Sequence, residues 1–132
     1  MHEIPRVRDS VVISCLPDMI TGSAPCVDRA AAARFFRVLG DPTRLAILEL
    51  LEDGERSVGQ LVAAVGQSQP RVSTHLACLR HCGFVTADRR GKEVFYRMAL
   101  GGLGEILQAS AEVMAPLAER LATCERIGPV WM

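Results

Sequence analysis

The sequence predicts a mainly α fold with one small β-hairpin, and three observations lead there. Apolar residues make up 49% of the 132 residues but aromatic ones only 5%. Leu, Ala and Val supply most of that apolar content, which suits packed helices better than a β-sandwich. Segments with apolar residues three and four apart alternate with glycines, and most begin at a capping residue. Two β-prone runs flank a Gly-containing basic turn near residue 91. The length suits one compact domain.

Residues 1–27 carry Pro5, Pro17, Pro25 and Gly22 among scattered polar residues and read as a loosely ordered arm. The domain proper is expected over residues 28–126, with 127–132 as a tail. Asp28 is placed to cap a first helix ending at Leu39-Gly40. Asp41-Pro42 opens a second: Asp accepts from the free amides, and Pro at the first position loses no hydrogen bond. Leu45, Ile47, Leu48 and Leu51 form its inner stripe, leaving Arg44, Glu49 and Glu52 in water. Ser57 caps a short third helix whose Val58, Leu61, Val62 and Val65 face inward. Gly66 makes the turn, Ser68 caps a fourth helix with core positions Val72, Leu76 and Leu79, and Gly83 closes it. Two short helices around a glycine turn form a helix-turn-helix. The runs Phe84–Arg89 and Glu93–Met98 around Arg90-Gly91-Lys92 then read as a hairpin, and a hairpin directly after a helix-turn-helix is a wing. The last segment holds Leu103, Ile106, Leu107, Val113, Met114, Leu117 and Leu121 at helical spacing. That stripe is wider than a small monomer would bury, so a homodimer through the terminal helices is expected. Pro116 must kink or end the helix it interrupts.

The formal charge is zero but uneven. Between Ser68 and Met98, Arg71, Arg80, Arg89, Arg90, Lys92 and Arg97 face only Asp88 and Glu93. A solvated charged face would have the same composition. The fourth helix favours a phosphate backbone instead, because Ser68, Gln69, Arg71, Ser73, Thr74 and His75 lie on its N-terminal half, off the core stripe. Helix-turn-helix proteins present that half to base edges in the major groove. Arg suits guanine and Gln suits adenine, while hydroxyls hold phosphates. The wing residues Arg89, Arg90 and Lys92 complete the candidate DNA surface. The expected partner is double-stranded operator DNA carrying an inverted repeat.

No apolar run approaches the ~18 residues of a membrane span. Val11, Val12 and Ile13, with Arg6, Arg8 and Asp9 nearby, are too short a stretch for a secretory signal. A cytoplasmic protein is expected, where the five cysteines, Cys15, Cys26, Cys78, Cys82 and Cys124, stay reduced. Cys78 and Cys82, four apart on the fourth helix, share a face about a right angle from the core stripe. Two thiolates one turn apart can hold a soft ion, and Cys124 is the obvious third donor. Nothing resembles a catalytic constellation or a Gly-rich phosphate loop, so no enzyme is expected.

Three stretches, in order, resemble the ArsR/SmtB family of metal-responsive repressors: Leu39-Gly-Asp-Pro-Thr-Arg-Leu-Ala-Ile-Leu48, Gln69-Pro-Arg-Val-Ser-Thr-His-Leu-Ala-Cys-Leu-Arg80 and Arg90-Gly-Lys-Glu-Val-Phe-Tyr-Arg97. The resemblance covers roughly Asp28 to Cys124. It implies a homodimer whose outer helices pair and whose repression is relieved by metal. The Cys78, Cys82 and Cys124 pattern is similar to the cysteine-only cadmium- and lead-sensing branch. Mercury- and arsenic-sensing members also use cysteine-only sites, so Hg(II), Cd(II), Pb(II) and As(III) all stay open as effectors. The family's zinc-type site on the last helix needs Asp and His pairs, and this chain has neither after Asp88. The site that uses cysteines of the third helix meets Ser57-Val-Gly-Gln60 here, and Cys15 and Cys26 belong to the arm that would complete it. They read as bystanders. Two other readings remain: a thiol redox sensor on the same fold, with Arg80 and His81 beside the thiols, and a structural zinc-binding interaction module.

Overall fold

The computed structural model describes residues 12–13 and 27–126; the expectations for Cys15, Cys26, the rest of the arm and the 127–132 tail lie outside them. The chain divides into two compact units, Met1–Leu39 and Gly40–Met132.

In the first unit, strand β1 (Val12–Ile13) pairs antiparallel with β2 (Val27–Asp28), matching Val12 to Asp28 and Ile13 to Val27. Helix α1 (Arg29–Leu39) follows at once, and the Asp28 carboxylate accepts from the Ala31 amide at 2.7 Å, as a cap should. Phe35 and Phe36 meet edge to face, 5.4 Å between centroids.

The second unit begins with α2 (Pro42–Glu52), capped by Asp41, whose Oδ1 accepts from the amides of Thr43 and Arg44. Strand β3 (Arg56–Ser57) leads directly into α3 (Val58–Val65). Ser57 forms a full capping box with Gln60: its Oγ accepts from the Gln60 amide while Gln60 Oε1 accepts from the Ser57 amide. Gly66 ends α3 at φ 74°, a left-handed conformation that a side chain would disfavour. Helix α4 (Gln69–His81) follows from its Ser68 cap.

Strands β4 (Val85–Arg90) and β5 (Glu93–Met98) form the wing. Arg90 pairs with Glu93, so the turn is two residues rather than the three expected, with Gly91 at φ 64°. Phe84 is not part of the strand: it is buried, its amide donates to Leu79 O and its carbonyl accepts from Ala99 N. The sheet has a third member that sequence reading missed, since β3 pairs with β5 in the order β3-β5-β4. Ser57 therefore ends a strand of the wing and caps the first helix of the helix-turn-helix, so one residue ties the two together.

Leu48, Leu51, Leu61, Val72, Leu76, Leu79, Phe84, Val85 and Leu103 are all buried in this unit, with Ile47. The stripe read for α4 thus faces inward, as does that of α2 apart from Leu45, which is only half-buried, whereas α3 buries fully only Leu61. After the wing, α5 (Leu103–Met114) passes through a 3₁₀ turn, Ala115–Leu117, into α6 (Ala118–Thr123). Pro116 sits in that turn and divides the terminal helix, as its missing amide requires. Ile106, Val113, Met114, Leu117 and Leu121 stay exposed in the single chain, Val113 to 70%.

Candidate nucleic-acid interface and thiol pair

Ser68, Gln69, Arg71, Ser73 and Thr74 are all exposed on the first two turns of α4, opposite the buried Val72, Leu76 and Leu79. The core stripe and the capped N-terminus together fix which residues point outward. Ser68 Oγ accepts from the Arg71 amide at 3.4 Å, and Thr74 Oγ1 donates to Pro70 O at 2.9 Å, so both hydroxyls are already held by the helix. Arg89 and Lys92 are exposed at the wing tip.

Two of the expected DNA residues, Arg90 and His75, also have protein partners. Arg90 donates through Nη2 to Glu55 Oε2 at 2.9 Å and through Nη1 to Oε1, forming a fork on one carboxylate. Its Nε donates to Asp88 at 3.1 Å, and the guanidinium lies 4.8 Å above the Phe95 ring. The hydrogen bonds to Glu55 and then to Asp88 raise the Arg90 pKa further above its ordinary value. His75 is half-buried, and its Nδ1 accepts from Arg44 Nε at 3.2 Å. Arg44 was expected in water on the α2 surface; it is instead half-buried against α4. Glu55 and Arg44 are the residues that sequence reading missed, because their partners lie far along the chain and no spacing rule joins them.

Cys78 is half-buried and Cys82 exposed, one turn apart on α4, and both are free thiols. Desolvation first, then the neighbouring Cys78 side chain, push the Cys82 pKa above the usual thiol value, against a lowering influence of Arg44. That shift runs opposite to the lowered pKa of a reactive redox thiolate. Cys124, the residue after α6, is half-buried. Among the described residues no three His, Cys, Asp or Glu side chains stand close enough to share a metal ion, so one chain does not bring Cys124 to the pair. His81 is exposed.

Residues 41–87 match the model of the bacterial regulatory protein arsR family, from the Asp41 cap through the helix-turn-helix into β4. A probable mercury resistance operon repressor of Streptomyces lividans is 40% identical over 109 residues, 83% of this chain and 87% of that protein. The chain belongs to the arsR family of bacterial regulatory proteins. Among solved structures, Mycobacterium tuberculosis Rv0081 superposes with a TM-score of 0.61 at 39% identity, covering 69% of this chain and 93% of that one. The NMR structure of the cadmium metal-sensor CmtR from M. tuberculosis has a TM-score of 0.50 at 45% identity, covering 58% of this chain and 80% of that one. Family membership makes the chain a DNA-binding transcriptional regulator on a winged helix-turn-helix. No helix among the described residues is long and apolar enough to cross a membrane.

Proposed function

We propose that this regulator is a cytoplasmic homodimeric repressor that leaves its operator when a soft ion, Hg(II), Cd(II) or Pb(II), is bound by Cys78, Cys82 and Cys124. The observation that carries the reading is the pair of free thiols one turn apart on the recognition helix itself. Two adjacent sulfurs match ions that prefer thiolates, and among the described residues no carboxylate joins them to favour a harder ion. The third donor is Cys124 of the partner subunit, since among the described residues of one chain no third ligand reaches the pair. The exposed residues of α5 and α6 give the dimer its apolar contact. The mercury and cadmium associations of the S. lividans and M. tuberculosis relatives point the same way.

In the free dimer, each α4 enters a major groove, with Gln69 and Arg71 at base edges and Ser68, Ser73 and Lys92 near phosphates. The two copies read an inverted repeat with half-sites one turn apart or a multiple of that. When bound, the ion supplies one cross-link between α4 and a C-terminal segment. Cys78 and Cys82 give up their protons to bind it. The dimer geometry that satisfies all three sulfurs then competes with the spacing the operator needs, and a coupling of about 1–3 kcal/mol is enough for release. An operator gel shift titrated with Cd(II), Pb(II), Hg(II), As(III) and Zn(II) tests this. Cys78→Ser, Cys82→Ser and Cys124→Ser should each keep apo binding and lose metal-induced release. Induction that survives replacement of both Cys78 and Cys82 would sink the reading.

A further inference from the structure

Positions 75, 78 and 82 of α4 recur at three and four residues and so share one face. His75 stands on that face between the DNA-reading half of the helix and the thiol pair. Opposite it lies the start of α2. Arg44 donates from Nε to His75 Nδ1 at 3.2 Å, and the same Nδ1 is 3.8 Å from Asp41 Oδ1. The shorter contact decides where the proton is. An imidazole that accepts at Nδ1 carries its proton on Nε2, so the Asp41 contact is not an ion pair. Asp41 is in any case occupied as the α2 cap, accepting from Thr43 and Arg44 amides at 2.9 and 3.1 Å. The side chains of His75 and Asp41 are each only 14% exposed, so the junction is packed. The Arg44 charge lowers the Cys82 pKa, a smaller influence than burial and Cys78. One guanidinium therefore touches the recognition helix at His75, on the face that also carries the thiol pair.

We propose that Arg44 is a positioning residue that couples the thiol pair to the DNA-reading half of α4 through His75. The inference rests on the soft-ion reading above. Three thiolates around a divalent ion carry a net charge of −1, where the pair of thiols carries none. That negative charge attracts Arg44 toward Cys82 and away from His75 Nδ1. His75 then loses the hydrogen bond that fixes its ring, and the helix turn bearing Thr74 and Arg71 loses its tie to α2.

The test uses the full-length protein with Cd(II), Hg(II) and Pb(II) added in turn. Thiolate-to-metal absorption reports ion binding, and operator affinity is measured with and without the ion. The wild type should bind operator about 5- to 150-fold more weakly when loaded. Arg44→Met should keep the absorption band while that ratio falls to about threefold or less. In DNA-free wild type, the His75 ring-nitrogen resonances, assigned with His75→Gln, should move when the ion is added. In Arg44→Met they should not. An unchanged release ratio in Arg44→Met overturns the proposal, as do His75 resonances that ignore the ion in wild type. The latter measurement stands even if Arg44→Met does not fold. A wild type that shows neither the band nor release with any of the three ions removes the soft-ion reading itself, and is seen before any variant is made.

Discussion

Exchanging Arg90 and Lys92 for Gln, one at a time, separates a charge that meets DNA from one that serves the protein. Each phosphate neutralised contributes a slope of about −0.9 in log affinity against log salt. Between 50 and 200 mM salt, a fourfold change, one contact is worth a factor of about 3.5 in affinity. Lys92 is exposed at the wing tip, so Lys92→Gln should remove that factor. Arg90 already holds Glu55 and Asp88 and covers Phe95. Releasing it to a phosphate would leave two carboxylates facing the DNA, so Arg90→Gln should leave the slope unchanged. Fluorescence anisotropy of a labelled operator across that salt range gives both slopes. Equal flattening by the two variants would refute the reasoning, because it would mean that the Glu55 fork opens whenever DNA arrives.

Other outcomes follow from the same geometry. Arg71→Ala should weaken specific binding by about 1–3 kcal/mol while sparing non-specific binding, if its side chain reads a base; competition between operator and random DNA measures this. Val113→Asp together with Leu117→Asp should yield a monomer in sedimentation at micromolar concentration, because both lie on the exposed apolar stripe. The pH dependence has a definite sign. The raised Cys82 pKa means that protons compete with the ion below it, so affinity should rise with pH, by about tenfold per unit from this proton alone, and level off above that pKa. Cys82→Ser should remove that share of the slope in a metal titration run from pH 6 to pH 8.

Much of the fold was legible because its signals are local. Asp28, Asp41, Ser57 and Ser68 each cap a helix through amides two or three residues away, and such caps can be read from a few letters. Pro116 likewise announced the break that the 3₁₀ turn makes. Strand β3 was not legible: it is two residues long, polar, and defined only by its pairing with Tyr96 and Phe95. The chemistry divided in the same way. The thiol pair follows from helical spacing, but the Arg44–His75 and Arg90–Glu55 contacts depend on tertiary approach, which left Arg44 read as solvated and the partners of Arg90 unforeseen. Cys124 has no periodic relation to Cys78, so no pattern in the sequence says what carries it to the pair.

The brevity of α6 has a consequence for which ions can act. It spans six residues, follows a proline turn and buries none of its side chains within the chain. A helix that short does not hold itself together in water, where about 12–15 residues are marginal. A third sulfur delivered by such a segment arrives only after the segment is ordered, at about 1–2 kcal/mol of backbone entropy per residue fixed. That subtraction falls equally on every ion, so it leaves their ranking alone but raises the floor beneath all of them. Ions with strong sulfur bonds clear it; abundant ions with weaker ones stay below. On the proposed soft-ion reading, the regulator ignores the everyday metal background because its third sulfur follows a short helix that the chain itself does not bury.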